Sequence, residues 1–307
     1  MSAPDLARLV KDRMATPRDW PEVVDTGPIG RAALRQMYDT ERGAPRWRLS
    51  GLGKCARALA YIKAGTPPNG RQIDARARLT FSLGDMVEAI LVHALREALE
   101  DDPTWGLLNV GEDQAEVYLE VPGHEPIKGH PDGIITRDGE PWAVLEIKSI
   151  ASFGFQRASR ELAEGRCPWD PSESYYWQAQ AYAAALDLDR VGVLMLCKDS
   201  GAVLSFWLHR DPGFLEALRA HLDMASQPPE DVPRVLPDGR ELRPRVELSK
   251  RDGVTPLKKH GQLPFQCRYC HSFRSCYGPR LTETIGKDYR GAPSLMLYLD
   301  RPDLGSQ

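Results

Sequence analysis

The sequence predicts an α/β protein with a mixed central sheet flanked by helices. Two observations lead to this reading. Between Ile73 and Glu100, Phe81, Met86, Ile90, Leu91, Leu95 and Leu99 form an apolar stripe at helical spacing. The middle of the chain then switches to short runs with period-two alternation. The predicted order is helices, a three-strand meander, a helix, a hairpin, a helix and an irregular cysteine-rich end. That order lacks the regular alternation of a doubly wound fold.

Residues 1–28 are polar with scattered prolines and read as a loose arm or short helix, followed by a short helix over Arg31–Tyr38. KCARALAYIKA at 54–64 has helical periodicity and stops at GTPPNG. Asp101, Asp102 and Pro103 end the long helix. Strands are predicted over Ala115–Val121, Lys128–Thr136 and Trp142–Ile150, the last two joined at Asp138-Gly139. ESYYWQAQAYAAALD at 173–187 reads as a helix, with Tyr175, Tyr176 and Trp177 packing it on the sheet. Val191–Lys198 and Ala202–His209 form a hairpin, and Asp211-Pro212 opens a helix to about Ser226. Residues 227–265 are rich in proline and charge and read as an extended connector. The domain reading is an arm (1–45), a core (46–226), a connector with a cysteine-rich region (227–290) and a tail (291–307).

The chain has 307 residues, 42% hydrophobic, with a net charge of -3. That supports one large domain or two modest ones and makes wholesale disorder unlike its composition. No apolar run approaches the roughly 20 residues of a membrane helix, and the first residues lack a secretory apolar stretch. The expectation is a cytoplasmic protein with no membrane partner. Its six cysteines then point to metal rather than disulfides. Net charge conceals a segregation: residues 41–80 carry a local +7 and residues 231–280 a local +6, leaving about -16 elsewhere. Two basic segments on an acidic chain suit a polyanion, or are simply solvated faces.

GHPDGIIT at 129–136 precedes AVLEIKSI at 143–150. On a strand, residues two apart share a face, so Glu146 and Lys148 project together while Ile147 points into the core. Folding back at Asp138-Gly139 brings Asp132 beside Glu146. Two converging carboxylates repel unless a cation neutralises them, and hard oxygen ligands suit Mg²⁺ or Mn²⁺. A nearby lysine can stabilise charge on a phosphate or help position the attacking water. An isolated E-x-K is usually a surface ion pair.

Together, P-D-G and VLEIKSI resemble the signature of the PD-(D/E)XK nuclease superfamily, which implies a restriction-endonuclease-like core. The RecB-like branch adds a Q-x-x-x-Y motif on the following helix, matched by Gln178 and Tyr182, which would orient DNA or the lysine. That branch often carries a histidine metal ligand on the preceding helix. This chain departs from it in LGDMVEAIL, where Glu88 replaces the histidine; His93 is the competing candidate on another helix face. The resemblance implies Glu88, Asp132, Glu146 and the Ile147 carbonyl as ligands of one or two Mg²⁺ or Mn²⁺, with Asp132, Glu146 and Lys148 catalytic. His130 also falls near Asp132.

Cys267, Cys270 and Cys276 form C-x2-C-x5-C and need a fourth ligand, for which Cys55 is the donor at hand; His271 is an alternative if the metal is zinc. LSGLGKCARALAYIKAG resembles the segment opening the iron–sulfur nucleases of the same branch, among them CRISPR adaptation exonucleases, the AddB nuclease domain and phage RecB-like exonucleases. The resemblance spans roughly residues 48–280. It implies a [4Fe–4S] cluster, with zinc the lesser reading, stapling the N- and C-terminal helical regions. Cys197 reads as a buried apolar residue and Cys167 as the same or an exposed loop thiol.

The resulting expectation is a metal-dependent exonuclease acting on DNA ends or single strands, in phage recombination or CRISPR adaptation and in contact with proteins of those processes. Arg57, Arg268 and Arg274 would line a DNA path, and Tyr269 or Phe273 would stack on bases or cover the cluster. The rival reading is a non-catalytic DNA-binding recombination module of the same fold; a redox carrier lacks any visible partner motif.

Overall fold

The computed structural model describes residues 3–15, 27–38, 46–69, 75–243, 260–268, 270–278, 281–287 and 293–300. In chain order the helices are α1 (Leu6–Ala15), α2 (Gly27–Tyr38), α3 (Ala56–Lys63), α4 (Ala75–Leu99), α5 (Ser152–Ala163), α6 (Ser174–Ala185), α7 (Phe214–Ala225), α8 (Phe265–Arg268) and α9 (Phe273–Tyr277). The strands are β1 (Trp105–Leu108), β2 (Val117–Leu119), β3 (Ile127–Gly129), β4 (Gly133–Arg137), β5 (Glu140–Ile150), β6 (Arg190–Cys197), β7 (Val203–His209), β8 (His260–Gln262), β9 (Leu281–Lys287) and β10 (Pro293–Asp300). Among the described residues no helix is long and apolar enough to cross a membrane.

The chain divides into two compact units. The first comprises Met1–Gly43, Trp47–Gly53 and Ile73–Arg219; the second comprises Ala44–Arg46, Lys54–Gln72 and Ala220–Gln307. The first unit is built on a five-stranded sheet of order β1-β4-β5-β6-β7. Only β5 and β6 run parallel, joined through α5 and α6, and the other pairs are antiparallel. It is therefore a mixed sheet with helices packed on it.

β5 explains how the sheet is layered. Ala143, Leu145 and Ile147 face one way, into a core with Leu6 and Val10 of α1, Leu91 and Leu95 of α4, Ile135 and Leu194. Val144, Glu146 and Lys148 face the other way, towards α6. Val144 is as buried as Leu145, as expected for a central strand covered on both faces. At the start of β5, Arg137 pairs with Glu140 across Asp138-Gly139, where both residues have positive φ, the geometry of a two-residue type I′ hairpin. The register then shifts between Ile135 and Thr136, a bulge that accommodates Trp142.

Several elements depart from the sequence prediction, among them β1, a strand of the central sheet that was not anticipated. The strand expected over Lys128–Thr136 is two strands: β3 pairs with β2 in a separate two-stranded sheet, and β4 joins the central sheet. Pro131 has no N–H to donate to a ladder, and the break at His130–Asp132 sets Asp132 at the mouth of β4. α5 was not anticipated; its first N–H and the Ser152 hydroxyl both donate to Asp199 Oδ2, at 2.7 Å and 2.6 Å. The C-terminal stretch is not irregular, because β8, β10 and β9 form an antiparallel three-stranded sheet in the second unit.

Gly129 is required by close approach. A Cβ on Gly129 would lie 2.7 Å from Cε1 of Tyr182 and 2.8 Å from Leu49 Cβ, so the bare backbone of β3 is what admits the tyrosine ring.

Candidate active site and thiol cluster

The first unit gathers Asp132, Glu146, Lys148, Gln178 and Tyr182 at one place on the α6 side of the sheet. Gly133 pairs with Leu145, so Asp132 and Glu146 stand opposite each other one step outward along the β4–β5 ladder. The Asp132 carboxylate accepts the Ile147 N–H at 2.6 Å. Glu146 is fully buried. Its Oε1 accepts from the Gln178 amide at 2.7 Å and is in ion-pair contact with Lys148 Nζ, which also donates to the Ile147 carbonyl at 3.3 Å. Glu146 Oε2 is buried and has no hydrogen-bond partner.

A buried carboxylate oxygen without a donor costs on the order of 1–3 kcal/mol or more. Burial pushes the Glu146 carboxyl up to about 7; Lys148 pulls it down and Asp132 pushes it further up. Burial likewise raises Asp132, against Lys148 and the Ile147 N–H. For Lys148, burial works to lower the amine, but Glu146 and Asp132 outweigh it and the net direction is upward. The two partners thus differ: Lys148 is held charged by the pair, whereas one lysine does not offset the cost of two carboxylates in one buried place. The group is short of positive charge. That deficit, the open Oε2 and the hard oxygen donors fit a divalent cation at Asp132, Glu146 and the Ile147 carbonyl. As they stand, no three His, Cys, Asp or Glu side chains among the described residues are drawn close enough to hold a metal ion.

α6 supplies the other side of the site. Gln180 anchors the helix by donating to the His209 carbonyl and accepting from the Asp211 N–H, and the Tyr176 hydroxyl donates to Asp211 at 2.7 Å. Gln178 and Tyr182 fall one turn apart on the face towards β5. Tyr182 is raised chiefly by burial, then by Glu146 and Asp132. Tyr176 and Trp177 are buried as expected of packing residues, but Tyr175 is 38% exposed, and Lys148 Nζ lies 5.5 Å from its ring centroid. The sequence reading missed that contact; the signal was the spacing of Tyr175, three residues before Gln178 and seven before Tyr182.

Glu88 lies on α4. Its Oε1 accepts the Gln114 amide at 2.7 Å, and α4 packs on the opposite sheet face, that of Leu145 and Ile147. His93 is exposed and lies 3.6 Å from Glu97. The His130 side chain is exposed, while its backbone meets the Tyr182 phenol.

The second unit gathers the four other cysteines. Cys55 stands at the N-terminus of α3, Cys267 lies in α8, Cys270 follows it, and Cys276 lies in α9. Cys267 belongs to a core with Leu236, Leu242, Leu263, Phe273 and Tyr277, against which Cys55, Cys270 and Cys276 pack. All are free thiols. Burial raises Cys267 to about 12 and Cys270 to about 11, and raises Cys55 as well. Two donors address the sulfurs: Arg234 Nε reaches Cys276 Sγ at 3.1 Å and the Tyr277 hydroxyl reaches Cys267 Sγ at 3.3 Å. Four thiols packed on one apolar core, with an N–H and an O–H aimed at two of the sulfurs, are the soft donors that an iron–sulfur cluster or zinc takes, although they are not drawn to coordinating range of one point here. His271 Nε2 is buried with no hydrogen-bond partner.

This unit has a hydrogen-bonded tie of its own. Asn69, after α3, donates its N–H to the His271 carbonyl at 2.9 Å and accepts the Ser275 N–H at 3.3 Å, and its side-chain amide meets the Ser275 hydroxyl. Two of the arginines expected on a DNA path also donate to the backbone. Arg57 donates to the carbonyls of Val232 and Glu230, and Arg274 to that of Asn69 while lying over the Phe273 ring. The Arg268 side chain and Tyr269 lie outside the described residues. Cys197 is buried and Cys167 exposed.

No protein-family model and no curated protein matches the chain. Among solved structures, SSO0001 is similar at 14% identity and a TM-score of 0.42, covering 85% of this chain and 98% of that one. The alkaline exonuclease LHK-Exo, in complex with dAMP, is similar at 16% identity and 0.38, covering 60% and 93%. A second structure of LHK-Exo, from Laribacter hongkongensis, gives 16%, 0.35, 58% and 89%. Likenesses of this degree carry no argument for fold or activity.

Proposed function

We propose that the chain is a Mg²⁺- or Mn²⁺-dependent deoxyribonuclease of the PD-(D/E)XK kind, acting as an exonuclease on DNA ends or single strands. The observation that supports it is the open Glu146 Oε2, fully buried beside Asp132 and in reach of an amine that stays protonated. Asp132, Glu146 and the Ile147 carbonyl hold the cation. When bound, a divalent ion lowers the pKa of water and neutralises charge on a phosphate. Lys148 presents its ammonium to the phosphate oxygens, and Gln178 fixes Glu146 Oε1. Glu88, whose Oε1 accepts from Gln114, is the candidate further ligand.

In the second unit we propose a [4Fe–4S] cluster on Cys55, Cys267, Cys270 and Cys276. Its role there is to hold thiols whose neutral forms are otherwise favoured by burial. The open His271 nitrogen favours a second version in which zinc takes it in place of one thiolate. The setting we infer is cytoplasmic DNA recombination or CRISPR adaptation.

Two measurements test these readings. Protein purified without oxygen is expected to degrade end-labelled single-stranded DNA with Mn²⁺, and Asp132→Asn to lose that activity while still binding DNA. Wild-type protein that is folded, carries its full metal content and cuts no DNA with either ion overturns the nuclease reading in favour of a DNA-binding module. The same preparation is expected to hold iron and absorb broadly in the blue; stoichiometric zinc without iron would transfer the thiols to the zinc version.

A further inference from the structure

We propose that Tyr175 is a positioning residue for Lys148: its ring holds the ammonium in place by a cation–π contact while leaving the charge free to face the phosphate. The inference rests on the nuclease reading and deepens it.

Among the described residues, Lys148 Nζ meets the Glu146 carboxylate, the Ile147 carbonyl and the Tyr175 ring, and Asp132 acts on its charge from beside Glu146. The first two are the same oxygens that a divalent cation would claim. Once a cation draws on Glu146 and Ile147, their hold on the amine weakens, and the ring is the neighbour that does not compete for the metal. A second carboxylate in that place would cancel the lysine's charge. An aromatic face attracts a cation through its quadrupole without neutralising it, and the 5.5 Å separation lies within the roughly 6 Å range of that attraction.

The ring is itself held firmly. Trp169, 3% exposed, lies 5.3 Å from the Tyr175 ring and meets Phe206 edge-on. Trp177 donates its indole N–H to the Pro171 carbonyl at 2.8 Å, which orders the loop leading into α6. The start of α6 is fixed by a close approach as well, because a Cβ on Gly53 would lie 2.7 Å from the backbone of Ser174. On this helix Tyr175 meets Lys148 and Gln178 meets Glu146, so one face addresses both ends of the ion pair.

The test separates ring electronics from shape. Tyr175→Phe keeps the aromatic face and is expected to retain activity close to wild type. Tyr175→Leu is expected to lower kcat by roughly 5- to 30-fold, the worth of a cation–π contact between the exposed and the desolvated limits, with KM for single-stranded DNA and Mn²⁺ affinity unchanged. Phenylalanine analogues with one, two and three ring fluorines at position 175 are expected to lower kcat stepwise, since fluorination weakens the ring quadrupole at nearly constant shape. Equal kcat across the fluorinated series, or a Tyr175→Leu loss that falls on KM, overturns this proposal while the nuclease reading stands. A wild-type protein with no cleavage at all overturns the nuclease reading instead.

Discussion

Replacing Lys148 with alanine is expected to reduce Mn²⁺-dependent DNA hydrolysis by on the order of 10²- to 10³-fold, the usual loss when one preorganised donor to a developing negative charge is removed. The substitution also takes the cation from a carboxylate that is fully buried. Breaking a buried pair by deleting one partner typically costs about 3–5 kcal/mol, because the other charge is stranded. Here Glu146 has a way out, since its carboxyl already sits at about 7 and takes up a proton once Lys148 is gone. The metal-free variant is therefore expected to fold with a neutral Glu146, and saturating Mn²⁺ restores the carboxylate. Initial rates under saturating metal, with DNA binding by anisotropy, check the point. A rate within threefold of wild type would remove Lys148 from the chemistry.

What could be read from the sequence was local, and what was missed depends on partners far along the chain. The alternation of VLEIKSI fixed the faces of β5 because a strand's period is two, and Asp138-Gly139 named the hairpin because both positions need positive φ. Gln178 and Tyr182 were legible from their one-turn spacing. The break in the strand at His130–Asp132 had a signal in Pro131, but the alternation on either side masked it. α5 had none: its sequence carries Gly154 and several polar residues, and its N-terminus is satisfied by Asp199 on the β6–β7 turn. Arg234 was equally invisible. It lies in what reads as an extended connector, yet that connector folds back on itself, with Leu242 N–H donating to the Arg234 carbonyl at 2.7 Å and Leu236 N–H to that of Arg240 at 2.9 Å. The fold-back helps hold a guanidinium against Cys276. Charge counting pointed to Arg57, Arg268 and Arg274 as DNA ligands and gave no sign that Arg57 and Arg274 also donate to backbone carbonyls.

The stability of the first unit is expected to fall with pH without a divalent ion and to become nearly independent of pH with one. The Glu146 carboxyl is raised from 4.5 to about 7, first by burial and then by Asp132, against the pull of Lys148. Between those values the folded state binds more protons than the unfolded chain. Its contribution to stability is therefore complete below the unfolded value and is lost as pH rises through about 7. Lys148 is shifted upward from an already high value and adds no step in this window. The six described tryptophans belong to the first unit, so intrinsic fluorescence follows its unfolding. Without divalent ions, its Tm is expected to fall between about pH 5 and pH 8. Mn²⁺ at about 100 times its Kd adds roughly 2.7 kcal/mol of stability at the upper end. Below pH 7 the ion must displace a proton from Glu146, so its apparent affinity falls by about tenfold per pH unit for each proton released. Calorimetric titrations in buffers of different ionisation enthalpy measure that proton directly. Mn²⁺ stabilisation of the same size at both ends of the range, with no proton released, would mean that the ion binds somewhere other than the buried carboxylates of β4 and β5.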